Sequence, residues 1–318
     1  MRVKLILAAT AMLLAQLAPA NAAPLVSQEK KVSDRKPTYT IELAYPRTGH
    51  RAIDNEIESW VRELAQDFAS AAKDQEPTPA GPWAANLTYE IGRNDGAMFS
   101  VLFSNYTYMG GAHPNTVFEA FNFLLPEGSR VELAELVTRR GIERVSAMSI
   151  AQLKQTLGGP DGMSDIDWIT RGAGANAKNF RNFLWQPQLL VIHFDPYQVA
   201  AYAAGPQEVR IPLSRLSDVV RADPRMPAAS FDCAKAASDV EQQICASREL
   251  ARLDRHVSEA YAEKVLWAAD EAARAKLKET QRAWLKHRDE TCRRVRTAMT
   301  ACLTQVHQER FRVLTSAP

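Results

Sequence analysis

The chain has 318 residues, 46% hydrophobic and 24% charged, with 14 Gly, 17 Pro and four Cys. That length and balance support two domains with cores of their own and exclude collagen-like, coiled-coil and largely disordered chains. The formal charge is +2, but Arg2 and Lys4 lie in a segment expected to be removed. Without them 37 basic residues meet 37 acidic ones, and nothing in that balance suggests a nucleic-acid binder.

The start of the chain, MRVK, is basic; an apolar run follows from Leu5 to Ala18, then Pro19 and the small residues Ala20-Asn21-Ala22-Ala23. This order predicts a secretory signal peptide over 1–22. The run is shorter than the roughly 20 residues a membrane anchor needs, and no Cys stands near the cleavage site for lipid attachment. No later run is long enough to span a bilayer. The mature chain, from about Ala23, is therefore expected to be exported, soluble and periplasmic, opening with a polar, flexible stretch over 23–36.

From residue 37 the pattern is mixed. YTIELAY (39–45) alternates as a strand does, and Ile53, Ile57, Val61, Leu64 and Phe68 then recur at helical spacing. Segments 85–92, 97–108 and 115–124 predict a strand meander, turned by Gly92–Gly96 and by Met109-Gly-Gly-Ala-His-Pro114. Leu133 to Leu153 reads as one helix. LLVIHF (189–194) and EVRIPL (208–213) read as strands before a short helix, with His193 as a core histidine whose hydrogen bonds are satisfied. The expected class over 37–221 is α+β, an antiparallel sheet with packed helices.

A segment with two prolines and no apolar period, 222–230, predicts a linker. Beyond it, 231–318 reads as a small all-α domain. Ser247 is a candidate N-cap for a helix bearing Leu250, Leu253, Val257, Tyr261 and Val265. A second helix from about Glu271 carries Leu277, Trp284 and Leu285, with Trp284 expected in the core. A third, after Thr300, carries Leu303, Val306, Phe311 and Leu314.

All four cysteines lie in this helical part, as Cys233, Cys245, Cys292 and Cys302. Neither spacing matches the short knuckle zinc prefers. Export implies disulfides, for which three connectivities exist; local pairing is the simplest, each pair bracketing a turn beside a helix end. Closing such loops contributes roughly 3 kcal/mol each in the chain-entropy model.

No nucleophile elbow, zincin helix, phosphate loop or dinucleotide fingerprint is present. The sequence asks for no catalytic residues, metal or cofactor. Two aromatic turns do stand out. Ser104–Asn115 carries Tyr106, Tyr108, His113 and Asn115 around a glycine pair, and Phe194–Gly205 carries Tyr197 and Tyr202. Tyrosines beside glycines suit recognition, since tyrosine covers area at low entropic cost. The alternative is that these rings plug a sheet edge.

These same residues carry a resemblance. YTYMGGAHPNT (106–116), FNFLLPEGSRVELAELV (121–137) and FDPYQVAAYAAGPQEVRIPLSRL (194–216) resemble the lysozyme-binding domain of the anti-sigma factor RsiV, which is also the accessory region of PdaC-type polysaccharide deacetylases. The resemblance covers about 37–220. The Gly/Asp-rich GGPDGMSD reads as an insertion, and Ala200-Ala201-Tyr202 stands where the family pattern has Ala-Pro-Tyr. FDCAKAASDVEQQIC (231–245), LARLDRHVSEAY (250–261) and QRAWLKHRDETC (281–292) resemble the LprI-type lysozyme inhibitor domain, all four cysteines included. Two different resemblances to lysozyme-engaging domains in one exported chain imply a non-enzymatic partner of lysozyme or a related peptidoglycan hydrolase. The resemblance implies binding through Tyr106, Tyr108, His113, Asn115, Tyr197 and Tyr202. The alternatives are a module that binds peptidoglycan without inhibition, and an enzyme on cell-wall glycans.

Overall fold

Alternating apolar residues at Tyr39, Ile41 and Leu43 face inward on a strand, β2 (Tyr39–Arg47), that seeds a six-stranded sheet. The computed structural model describes residues 23–75, 81–158 and 165–316. The expected signal peptide lies outside the described residues, as do 159–164 of the expected insertion. The sheet runs in chain order from β1 (Gln28–Arg35) through β2, β3 (Trp83–Asn94), β4 (Met98–Tyr108), β5 (Asn115–Leu124) and β6 (Ser129–Arg130). The three predicted meander strands are all present. One pair, β2 with β3, is parallel, because α1 (Arg51–Ala72) crosses between them.

Residues 28–35, expected to be flexible, instead form β1, paired residue for residue with β2. Backbone pairing needs no apolar side chains, and the charged sequence QEKKVSDR suits a solvent-facing edge that must not attract other chains. Asn94 clamps the residues just before it, its side chain donating to the Leu25 carbonyl and accepting from the Leu25 amide at 2.8 Å each.

The helix α1 lays Ile53, Ile57, Val61 and Phe68 on one face of the sheet, against Phe99, Val101, Phe103, Phe121 and Phe123. The other face, through Leu102 and Ala120, packs on a second sheet of β7 (Phe183–Trp185), β8 (Leu189–Phe194) and β9 (Gln207–Pro212). The buried Asn122 joins the two, donating to the Phe183 carbonyl at 2.8 Å. The single helix expected over 133–153 is two, α2 (Leu133–Leu136) and α3 (Arg139–Leu157). They are separated at Val137, whose bridge to Val220 takes it out of the helix, and Thr138 then caps α3. His193 is three-quarters of the way along β8 and is not hydrogen-bonded as expected. Its Nε2 finds no partner among the described residues, and its Nδ1 lies 3.7 Å from Glu208. Burial pushes its pKa down against the pull of Glu208, which leaves a neutral ring against Phe118.

The segment 222–230 has no regular structure, as its composition predicts, yet it is pinned rather than loose. Arg225 donates to the Leu125 carbonyl, Arg255 to that of Ala228, and the Ser230 amide to Asp254. The helical part follows as α4 (Ile166–Gly172) precedes it in the first domain, with α5 (Asp239–Ala246), α6 (Arg248–Leu266), α7 (Glu271–Arg293) and α8 (Met299–Thr315) after the linker. Ser247 caps α6 as expected, its side chain accepting from the Leu250 amide. The short helix α5 has a capping box from Ser238 and Glu241. Cys233–Cys245 and Cys292–Cys302 are the two disulfides, the local pairing.

Trp284 is half-buried rather than fully enclosed. It packs with Tyr261 and Phe311 against Val257, Ala260 and Leu314, with the His307 ring edge-on at 5.4 Å and the Arg288 and Arg310 guanidinia at 5.5 and 5.8 Å. Trp284→Ala is expected to cost about 2 kcal/mol, less than the 3–5 kcal/mol typical of a fully buried ring. Chemical denaturation measures this, and an unchanged midpoint would remove Trp284 from the core.

Candidate functional site

Tyr106 and Tyr108 are two residues apart on β4, so they share the face that carries Met98 and Leu102 farther down the strand. Tyr106 is exposed and Tyr108 half-buried. Past them Gly110 turns the chain at φ +77°, a conformation that favours glycine. The turn presents His113, and Asn115 opens β5 opposite Thr107. The second aromatic turn, 195–205, comes to the same end of the sheet. There the Tyr202 ring stacks on His113, with centroids 3.9 Å apart and planes at 21°, and its hydroxyl donates to the Pro114 carbonyl at 2.7 Å. Tyr197 stands beside them, its ring 5.7 Å from that of Tyr202.

Asp195 holds this second turn in place. Its carboxylate accepts from the Phe118 amide on β5 at 2.7 Å and from the Arg181 guanidinium. A nearly buried carboxylate with two such donors is costly to remove, since the donors then lose their partner. Asp195→Ala is expected to cost about 2 kcal/mol and to loosen the aromatic cluster. Hydrogen exchange at the Phe118 amide reads this out, and unchanged protection there would contradict the anchoring role.

Tyr197 is the one non-glycine residue with positive φ among the described residues, at +67°, and its side chain is 52% exposed. Such a conformation costs free energy and persists only where surrounding contacts enforce it. Here the Trp168 indole donates to the Tyr197 carbonyl at 2.9 Å, and the next residue, Gln198, donates to the carbonyls of Gly172 and Asn179. Gly172 is needed at that approach: a Cβ there would stand 1.9 Å from the Gln198 carbonyl oxygen.

A cleft of about 810 Å³ lies where α6 meets the first domain. Its floor is an ion-pair network. The Glu135 carboxylate, 1% exposed, takes Arg248 at 2.8 Å and Arg252 at 2.7 Å, while Glu132 takes Arg255 and, at 3.0 Å, His256. Burial opposes ionisation of Glu132, but His256, Arg255 and Arg252 outweigh it and hold its pKa at about 2. Burial dominates for neighbouring Glu259 and pushes its pKa up despite Arg255.

Of the six residues singled out from the sequence, His113, Tyr197 and Tyr202 thus form one contacting cluster. Tyr106, Tyr108 and Asn115 lie on the adjoining strand ends. Tyr202 is a strut between two loops, its ring on His113 and its hydroxyl on the Pro114 carbonyl. The sequence reading missed Asp195, although the Asp-Pro step opening the second turn marked it. It also missed Glu132, Glu135 and their arginines, whose charges carry no local mark of burial. Among the described residues no three His, Cys, Asp or Glu side chains gather as a metal site.

Comparison with known proteins matches three stretches of the chain. Residues 30–116 match the family described as deacetylase PdaC, 134–214 a protein family of unknown function (DUF3298), and 233–314 the lysozyme inhibitor LprI family. The resemblances read from the sequence to PdaC-type and LprI-type domains are borne out. The peptidoglycan-N-acetylmuramic acid deacetylase PdaC of Bacillus subtilis is 25% identical over 194 residues, 60% of this chain. The match spans only 40% of that deacetylase's length. Immunogenic protein MPT64 of Mycobacterium tuberculosis is 24% identical over 236 residues, 69% of this chain and all of that protein. The crystal structure of a DUF3298 family protein from Pseudomonas aeruginosa superposes with a TM-score of 0.50 at 15% identity, over 63% of this chain and 96% of that one, a likeness of fold. The C-terminal all-helical region with its two disulfides therefore carries the lysozyme-inhibitor match, and the α+β region the deacetylase-type match.

Proposed function

We propose that this chain is an exported periplasmic protein that captures and inhibits lysozyme-type peptidoglycan hydrolases, acting by binding rather than turnover. The lysozyme-inhibitor match over 233–314 carries the reading. The aromatic cluster supports a contact surface on the other domain: Tyr197 is exposed, and Tyr202 and His113 are already locked in one arrangement, so little ordering entropy opposes binding. Lysozymes work with two carboxylates in a sugar-binding cleft, and rings with hydroxyl and imidazole edges fit such a cleft. Tyr106, Tyr108 and Asn115 extend the surface along the strand ends. The disulfides fit an oxidising compartment.

The experiment is a titration of the chain from Ala23 into several classes of lysozyme acting on peptidoglycan. Saturable inhibition of at least one class is expected. A second reading, a module that binds peptidoglycan without inhibiting its hydrolases, is favoured by the similarity to the deacetylase over 60% of the chain. Co-sedimentation with purified peptidoglycan, without inhibition of any lysozyme, would decide for that reading.

A further inference from the structure

Behind the aromatic cluster, a second groove of about 530 Å³ runs between the segment 168–198 of the first domain and the C-terminal end of α6. Three aromatic side chains line it: Trp168 and Tyr197 from the first domain and Trp267 from the helical one. Trp267 is 60% exposed and Tyr197 52%. Large rings left in water around a concave surface mark a binding site more often than a scattered surface residue does.

The chemistry of the walls narrows the ligand. Two charged side chains line the groove, Arg171 and Glu263. Lys178 pairs with Glu263 at 2.9 Å across the domain boundary, and the Arg171 guanidinium lies 5.5 Å from the Trp267 ring centre. Among the described residues Arg171 has no carboxylate partner, so its guanidinium N–H groups are left to donate to ligand oxygens. The remaining polar groups are the amides of Asn176, Asn179 and Gln198. The NH2 groups of Asn179 and Gln198 are spent on backbone carbonyls, which leaves their oxygens to accept from ligand hydroxyls and the Asn176 NH2 to donate to them. The frame is rigid. Gln198 is held by two carbonyls, Asn179 donates to those of Arg171 and Gly174, and the Trp168 indole is fixed to Tyr197. A molecule with apolar faces for the rings, and hydroxyls along its edges for the Arg171 guanidinium and the amides, is a sugar chain.

We propose that this groove is an oligosaccharide-binding site, distinct from the lysozyme-contacting surface except at Tyr197, which borders both. Because each domain supplies one wall, an occupying sugar bridges the two.

The test titrates the full chain with tetramers of N-acetylglucosamine and of glucose, followed by tryptophan fluorescence and calorimetry. Saturable binding of at least one tetramer is expected. Trp267→Ala should weaken it at least tenfold without changing the melting temperature or lysozyme inhibition, since the ring is mostly exposed. Ala262→Trp, a filling substitution at an exposed groove position, should weaken it similarly even if Trp267→Ala fails to fold. Tyr197→Gly keeps the positive φ and removes the ring, and should weaken binding too. The proposal is overturned if neither tetramer binds, or if binding survives both Trp267→Ala and Ala262→Trp. Loss of lysozyme binding in Trp267→Ala, with no sugar binding by the parent chain, would make the groove a protein-docking surface instead.

Discussion

Glu135→Gln is expected to lower the stability of the chain by about 3 kcal/mol. The carboxylate is 1% exposed and accepts from Arg248, from Arg252 and from the Glu132 amide at 2.9 Å. Both arginines also donate to the Arg130 carbonyl, so one acidic side chain organises the contact between α2 and α6. Removing one member of a buried ion pair typically costs 3–5 kcal/mol, because the partner charge is left uncompensated. The arginines here are 21% and 25% exposed, so water offsets part of the loss and the lower end is expected. A denaturation midpoint measures it. A change below about 1 kcal/mol would mean that the two domains are held by other contacts.

The same junction should be acid-sensitive. Glu132 has a folded pKa of about 2 against an ordinary value of 4.5. A carboxyl whose folded pKa is depressed stabilises the fold above its unfolded value and loses that contribution as pH falls through the folded one. The loss should therefore fall between about pH 4.5 and 2. It should vanish in Glu132→Gln, whose melting temperature ought to change less across that window than the parent's.

Tyr202→Ala is expected to weaken lysozyme inhibition about thirtyfold, or ~2 kcal/mol, while the chain stays folded. The ring stacks on His113 and its hydroxyl ties the second aromatic turn to Pro114, so truncation frees both turns at once. Tyr202→Phe separates these contributions, since it keeps the stack and loses one hydrogen bond worth roughly 1 kcal/mol. Tyr108→Ala, on the strand end beside the cluster, should have an effect of the same order as Tyr202→Ala. His113→Ala, whose ring supports Tyr202 rather than standing alone at a rim, should approach it too. Inhibition constants measure all four. If Tyr202→Ala and Tyr108→Ala both inhibit like the parent, the aromatic turns are structural and the inhibitory surface lies on the helices.

Features set by neighbours in the chain were legible in the sequence. The 3.6-residue period of Ile53, Ile57, Val61 and Phe68 marks α1, and the alternation of Tyr39, Ile41 and Leu43 marks β2, because one apolar face must be buried in either case. Ser247 marks the start of α6 through the amide its side chain satisfies. Each cysteine pairs with the partner a dozen residues or fewer away. Two local readings failed where backbone pairing with another segment intervened: β1 is ordered by its ladder with β2, and the helix after Leu133 breaks where Val137 bridges to Val220.

The site itself was decided by tertiary structure. The residue types of both aromatic turns were visible, but the stack of Tyr202 on His113 joins positions 89 apart, and only the folded sheet brings them within 3.9 Å. The strain at Tyr197 arises from Trp168 and from the close approach that Gly172 permits, neither of which is adjacent in sequence. Glu132 and Glu135 meet their arginines across more than a hundred residues. A charged residue on an amphipathic helix has the same local pattern whether it faces water or another domain. Its burial, and so its energetic weight, depends on which surface covers it, and that is a property of the packed chain.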